Sequence, residues 1–390
     1  MVAPEWLSGY SGAVIIKVLC VAGARPNFPK IAPLMRAFNA RPEQFQVKLV
    51  NTGQHYDEKL AKVFFEDLAI PKPDMDLEVG SASHAVQTAE IMKRFETVIQ
   101  AENPHVVIVV GDVNSTAGCA LVTAKHFLSE EFRFRGKARK RPVMVHVEAG
   151  LRSFDDDMPE ETNRKVTDVL SDVLYVSDPA GMTNLKAEGV ADERVEYVGN
   201  VMIDTLLYAK QKAMQSDIMQ RLDLTERGYG LVTLHRPSNV DEPEQLKHLL
   251  GVLDDVSHDQ PLVFPVHPRT RARLKDMGLE LDSARWKLVE PLGYLDFLRL
   301  MASAKVVLSD SGGIQEETTV LGTPCVTLRE NTERPCTIEE GTNVLAGSRR
   351  ETILPAYKEV MSRKLDGRIP KFWDGKTAER IAESLLKAFG

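Results

Sequence analysis

The segment AKVVLSDSGGIQEE, residues 304–317, passes from a continuous apolar run into a serine, two bare glycines and two adjacent glutamates. Val and Leu without polar alternation describe a strand covered on both faces. Ser-Gly-Gly then opens a helix with backbone amides that no side chain shields, a seat for an anion. One turn on, Glu317 can accept hydrogen bonds from a vicinal diol such as a ribose offers. Adjacent helical residues diverge by about 100°, so Glu316 and Glu317 cannot both do so. A buried strand running into a ligand-holding helix start is one unit of an α/β fold.

The unit recurs along the chain. Strand-like runs occupy 16–22, 45–51, 105–111, 142–147 and 172–176, and then 230–235, 261–266, 286–290, 305–309 and 324–328. Segments of helical period separate most consecutive pairs, which predicts parallel sheets. A chain of 390 residues is too long for one ordinary domain. A long helical pattern ending in a polar turn, residues 199–230, offers the break. The expectation is two doubly wound, Rossmann-like domains facing a cleft, residues 1–200 and 201–374. The C-terminal helix, 375–390, is open to packing on either. Ligands of such sheets sit beyond the carboxyl ends of the strands, so the cleft is the expected site.

Composition narrows the function. Hydrophobic residues at 43% and charged ones at 27% describe a soluble globular protein. A net charge of −7 argues against a nucleic-acid partner without excluding a phosphate-bearing small molecule. Cys20, Cys119, Cys325 and Cys336 form no CxxC pair, and the nine histidines no HExxH set, so neither a disulfide scaffold nor a metal site is expected. No apolar run approaches the ~18 residues of a membrane span. AVIIKVLCVAGA (13–24) carries Lys17 at its centre and only Glu5 as a charge before it, which reads as a buried first strand rather than a signal peptide. A cytoplasmic protein is expected. RFRGKARKR (133–141), with six basic residues, reads as a solvated loop, or alternatively a docking patch for an acidic partner.

The strand ends carry the chemistry. After the first strand, GARPNFPK (23–30) has one glycine and so lacks the dinucleotide fingerprint, but Arg25 and Lys30 place fixed positive charge at a helix start, as a phosphate requires. Asp112 follows the third strand and Glu148 the fourth, while Glu160 and Glu161 open the next helix behind Pro159. Surface acids and helix-dipole partners would account for each alone. Two neighbouring parallel strands that both end in a carboxylate make a candidate acid/base pair. His235 ends the first strand of the second half, pointing across the cleft at those acids, and imidazole suits proton transfer near neutral pH. Arg334, in RENTERP (329–335), reaches the rim beside Ser311. Together these groups describe a seat for a nucleoside diphosphate.

These residues resemble the non-hydrolysing UDP-N-acetylglucosamine 2-epimerases, a family of two-domain glycosyltransferase-B architecture. The likeness runs in order through GARPNFPKIAP, GDVNST, HVEAGLRS, MPEETNR, GNVMID, TLHRPSN, LSDSGGIQEE and TERP, nearly the whole chain. It implies a catalytic set of Asp112, Glu148, Glu160 and His235. Arg25, Lys30 and Arg334 match residues near the diphosphate, and Ser311, Gly312 and Gly313 the phosphate-binding turn. Glu317 matches a ribose contact, Phe297 a residue beside the uracil, and Arg164 an arginine near the sugar. The resemblance further implies a homodimer, no cofactor, and a product used in surface-polysaccharide precursors. Departures are Ala24 and Asn27, where the family opening is GTRPE, and Tyr56 after Gln54 and His55, where many members carry arginine in a motif that holds a second, activating substrate molecule.

The chemistry implied is elimination. The C2 proton of an N-acetylhexosamine is not acidic, and the chain lacks a nicotinamide fingerprint. Loss of that proton together with UDP gives 2-acetamidoglucal; protonation of the opposite face and re-addition of UDP invert C2. A hydrolysing epimerase, an epimerase of a related diacetamido uronic acid sugar, a glycosyltransferase and a non-catalytic nucleotide-sugar sensor are the alternatives.

Overall fold

The computed structural model describes residues 15–23, 27–53, 67–68, 70–266, 268–362 and 368–390. Arg25, Gln54 and His55 lie outside the described residues.

The apolar runs pair as two parallel sheets. The first holds β1 (Ile16–Ala22), β2 (Phe45–Asn51), β3 (Met75–Asp76), β4 (Val106–Val110), β7 (Val143–Val147), β8 (Val173–Val176) and β9 (Val195–Tyr197), in the order β3-β2-β1-β4-β7-β8-β9. The second holds β10 (Gly230–Thr233), β11 (Leu262–Pro265), β12 (Trp286–Val289), β13 (Val306–Ser309), β14 (Cys325–Thr327) and β15 (Asn343–Leu345), ordered β12-β11-β10-β13-β14-β15. Every residue of β4 and β7 is buried, as strands covered on both faces must be. All four cysteines are free and buried. Each sheet reverses its strand order once, between β1 and β4 and between β10 and β13. In doubly wound folds these switch points are where ligands enter.

All ten expected strands form. β3, β9 and β15, of two or three residues each, add edge strands too short to leave a pattern. The basic segment 133–141 is solvated as expected, five of its six basic residues being exposed, but it is not a loop. It folds into an antiparallel hairpin, β5 (Phe132–Phe134) and β6 (Lys137–Arg139). Arg139 donates to Asp172 at 2.5 Å, and Phe132 stacks on Phe389 with ring centroids 5.5 Å apart. Those partners lie on neighbouring elements, which composition does not reveal.

Residue 201 begins a helix, Val201–Ala213, that packs on Phe28–Asn39 of the first sheet's layer and on Tyr294–Ser303 and Gly312–Leu321 of the second. Its buried residues join one apolar core that runs through both domains. The last helix, Thr377–Phe389, returns to the first domain, packing on Phe28–Asn39 and β5. Asp204 caps its start, accepting from the amides of Thr377 at 3.1 Å and Ala378 at 2.8 Å. Among the described residues no helix is long and apolar enough to cross a membrane.

Candidate functional site

At the first switch point the chain brings cations and acids together in pairs. Lys30, on the first turn of helix Phe28–Asn39, donates to Glu148 at 2.5 Å. Glu148 is the first residue past β7 and is buried, with φ +70°. A non-glycine residue held in the left-handed region is strained, and such residues cluster at functional sites. Its second carboxylate oxygen is buried without a hydrogen-bond partner among the described residues. Asp112 follows Gly111 at the end of β4 and accepts from Arg164 at 2.6 Å. Gly111 has φ +68°, which favours glycine there, and a Cβ would stand 3.2 Å from the Lys30 ammonium. Burial pushes the Asp112 carboxyl up, but Arg164, Lys30 and Arg334 outweigh it and hold the group below the usual carboxylate range.

Glu160 and Glu161 separate in role. Glu161 is buried, accepts from the amide of Ser153 at 3.0 Å and holds Arg164 at 2.7 Å. Glu160 is half-exposed in the same first turn and makes no hydrogen bond or ion pair among the described residues. It lies one turn before Arg164, on the same side of the helix.

The second switch point is organised by Asp310, fully buried between β13 and the Ser-Gly-Gly turn. It accepts from the amides of His235 at 3.1 Å and Arg236 at 3.0 Å, from Asn239 at 3.1 Å and from the His235 ring at 2.9 Å. Burial raises this carboxyl, while His235 and the donated hydrogen bonds outweigh it and keep it below the usual range. Asp310 gathers the loop after β10 and holds the His235 ring through Nδ1, a contact within the second domain that the sequence reading did not include. The ring is otherwise 62% exposed.

Ser311 precedes the helix Gly312–Leu321 with extended backbone, and its side chain makes no capping bond. A Cβ at Gly313 would meet nothing within 4 Å, and one at Gly312 would lie 3.0 Å from Arg334 Nη1. The Ser311 amide donates to Ser309 Oγ at 3.0 Å, and the turn then runs beside a guanidinium with open space at Gly313. Arg334 is held through Nε by Glu316 and has Glu333 at 3.7 Å. Burial would lower the Arg334 pKa, but Glu316, Glu148 and Glu333 outweigh it and raise it. Burial, and then Glu148, push Glu316 upward against Arg334 and Lys30. Glu148 and Lys30 belong to the first domain, Glu316 and Arg334 to the second, so the cleft brings the two charge pairs within range of each other. Arg164 Nη2, 4.0 Å from Glu333, joins the same gap.

Next to Glu316, on a different face, Glu317 accepts from Tyr294 at 2.8 Å, and burial pushes its carboxyl up to about 7. Phe297 is half-buried one turn after Tyr294 on helix Tyr294–Ser303. Asp310, Tyr294, Glu316, Glu333 and Glu161 were not singled out from the sequence as site residues. Asp310 stood in the quoted segment, and its place directly after a buried strand was the available signal.

The chain matches the family model for UDP-N-acetylglucosamine 2-epimerase over residues 36–386. It is 37% identical to the UDP-N-acetylglucosamine 2-epimerase of Methanocaldococcus jannaschii over 378 residues, covering 95% of this chain and 99% of that one. It is 36% identical to the UDP-2,3-diacetamido-2,3-dideoxy-D-glucuronate 2-epimerase of Pseudomonas aeruginosa, covering 95% and 100%. The crystal structure of the M. jannaschii enzyme in complex with UDP-GlcNAc and UDP superposes with a TM-score of 0.84 at 36% identity, covering 95% of this chain and all of that one. Two parallel-sheet domains and a likeness along nearly the whole chain agree: the protein belongs to the UDP-N-acetylglucosamine 2-epimerase family, as a UDP-sugar 2-epimerase.

Proposed function

We propose that this protein interconverts UDP-N-acetylglucosamine and UDP-N-acetylmannosamine without net hydrolysis. The observation that supports the reading is the paired arrangement Lys30–Glu148 and Arg334–Glu316 at one gap, with the Ser311–Gly313 helix start beside it. Cations from both domains suit a diphosphate, and acids in contact with them suit the carbon next to the one it leaves.

In this scheme a carboxylate removes the C2 proton while the C1–oxygen bond breaks, and the bond electrons leave with UDP as C1=C2 forms. Lys30, Arg334 and the turn amides stabilise the departing diphosphate, as fixed donors do where charge develops. A proton delivered to the opposite face of C2 and return of UDP to C1 complete the inversion, so atoms and charge balance with no co-reactant. Asp112, Glu148 and Glu160 are the candidates for the two faces. Ionic contact between Asp112 and Arg164 favours the ionised form and hence a base. Glu317 receives the ribose, Phe297 lies beside the uracil, and His235 lies toward the diphosphate. The expected homodimer belongs to the same reading, and sedimentation velocity tests it.

Incubation with UDP-N-acetylglucosamine followed by chromatography tests the outcome. UDP-N-acetylmannosamine at equilibrium with substrate supports the proposal; free N-acetylmannosamine with stoichiometric UDP identifies a hydrolysing enzyme. The likeness to the P. aeruginosa enzyme favours one second reading, a diacetamido uronic acid substrate. Turnover of that sugar but not of UDP-N-acetylglucosamine would select it.

A further inference from the structure

Behind the acids lies a charged network that the reaction scheme does not use. His146, in β7, is fully buried. Its Nδ1 lies 2.6 Å from Asp168 and its Nε2 2.8 Å from the carbonyl of Gly111. A carbonyl only accepts. Nε2 therefore donates to it, and Nδ1 shares a hydrogen with the Asp168 carboxyl, which burial raises but His146 and Arg152 lower further, below the usual range. Asp168 also takes the amide of Gly150 at 3.1 Å and Arg152 at 2.8 Å, and Arg152 continues to Glu188 at 2.7 Å.

The network grips both acids by their backbones. Gly111 directly precedes Asp112. Its carbonyl is held by His146, its amide by the carbonyl of Val147 at 3.1 Å, and the next carbonyl, of Asp112, by Asn163 at 2.9 Å. Glu148 sits two residues after His146 and two before Gly150, which Asp168 holds, so the strained Glu148 peptide is pinned from both sides. Buried polar groups are costly unless satisfied, and a fully satisfied network is rigid.

We propose that His146 is a positioning residue: it locks the Gly111 peptide between β4 and β7 and so fixes Asp112 and Glu148 relative to each other for proton transfer at C2. The inference rests on the proposed function above. A shift of about 1 Å in an acid/base group costs on the order of 10²-fold in rate.

The test compares the unaltered protein with His146→Gln, which keeps a single donor group, Glu148→Gln, and the double variant. Solvent deuterium entry at C2 of UDP-N-acetylglucosamine gives the rate, and calorimetry with UDP gives nucleotide affinity. His146→Gln is expected to slow exchange by roughly 10–100-fold with UDP affinity unchanged. The double variant is expected to lose clearly less than the product of the two single losses, because His146 acts in part through that acid. Parallel loss of rate and UDP affinity, or losses that multiply in the double variant, would overturn the role and leave His146 as packing. If His146→Gln does not fold, Asp168→Asn is read by the same two criteria. Normal exchange in the His146 variant sinks this role alone, whereas no exchange in the unaltered protein removes the proposed function and this role with it.

Discussion

Arg164 of the first domain lies 4.0 Å from Glu333 of the second, a contact that ties the acids of the cleft to its cations. Glu333 is held at 2.9 Å by both ends of the Arg329 guanidinium, and its carboxyl is lowered to about 2: burial raises it, but Arg329 and Arg334 outweigh that.

The sign gives a first prediction. A depressed carboxyl contributes stability that is complete above its unfolded value of about 4.5 and is lost as pH falls through about 2. Glu333→Gln should therefore unfold more easily than the unaltered protein at pH 6, by on the order of 3 kcal/mol. The two should converge between pH 4.5 and 2. Urea titrations across that range check it.

Glu148→Gln removes the charge opposite Lys30 but keeps the shape. General acid–base groups contribute typically about 10²–10⁴-fold, so turnover should fall in that range while UDP affinity holds or improves. Initial rates and calorimetry on the same preparation decide; near-normal turnover takes Glu148 out of the mechanism.

Glu317 has the opposite sign from Glu333. Its carboxyl is raised to about 7 by burial, so the fold disfavours the ionised form, and its stabilising share is full below about 4.5 and lost as pH rises through 7. A ribose diol binds the ionised form. UDP-sugar affinity should thus rise with pH between 6 and 8, and Glu317→Gln should bind weakly with no such slope. Tyr294→Phe removes the hydrogen bond that lowers this carboxyl, so the slope should move to higher pH.

The last helix tests the packing. Ile381 is fully buried in it, against the core that the first domain shares. Ile381→Ala should cost about 2–5 kcal/mol and raise amide exchange in helix Phe28–Asn39 more than in Gly312–Leu321. Equal loosening of both would contradict that placement.

Continuous Val/Ile/Leu runs made both sheets legible, because full burial leaves a pattern that needs no tertiary information. The positions of Asp112 and Glu148 were legible for a related reason: a residue just past a buried parallel strand stands at the carboxyl edge of its sheet. What could not be read was which neighbour turns inward. Of Glu160 and Glu161, and of Glu316 and Glu317, helix geometry says only that each pair diverges; Arg164, one turn on, is within reach of either Glu160 or Glu161, and Ser153, Arg334 and Tyr294 come from other elements. The contact of His235 with Asp310 was hidden on the same account, since Asp310 is its neighbour across strands and not along the chain. The hairpin at 132–139 was hidden by its charge; Arg139 pairs with Asp172 and Phe132 stacks on Phe389, contacts that composition does not show.

The central claim is that one cleft grips a diphosphate while acids exchange the hydrogen on the adjacent carbon. Proton NMR of UDP-N-acetylglucosamine with the protein in deuterated water measures this directly. The account predicts loss of the C2 proton signal together with new UDP-N-acetylmannosamine bearing deuterium at C2. Epimer that keeps its original C2 hydrogen would contradict it.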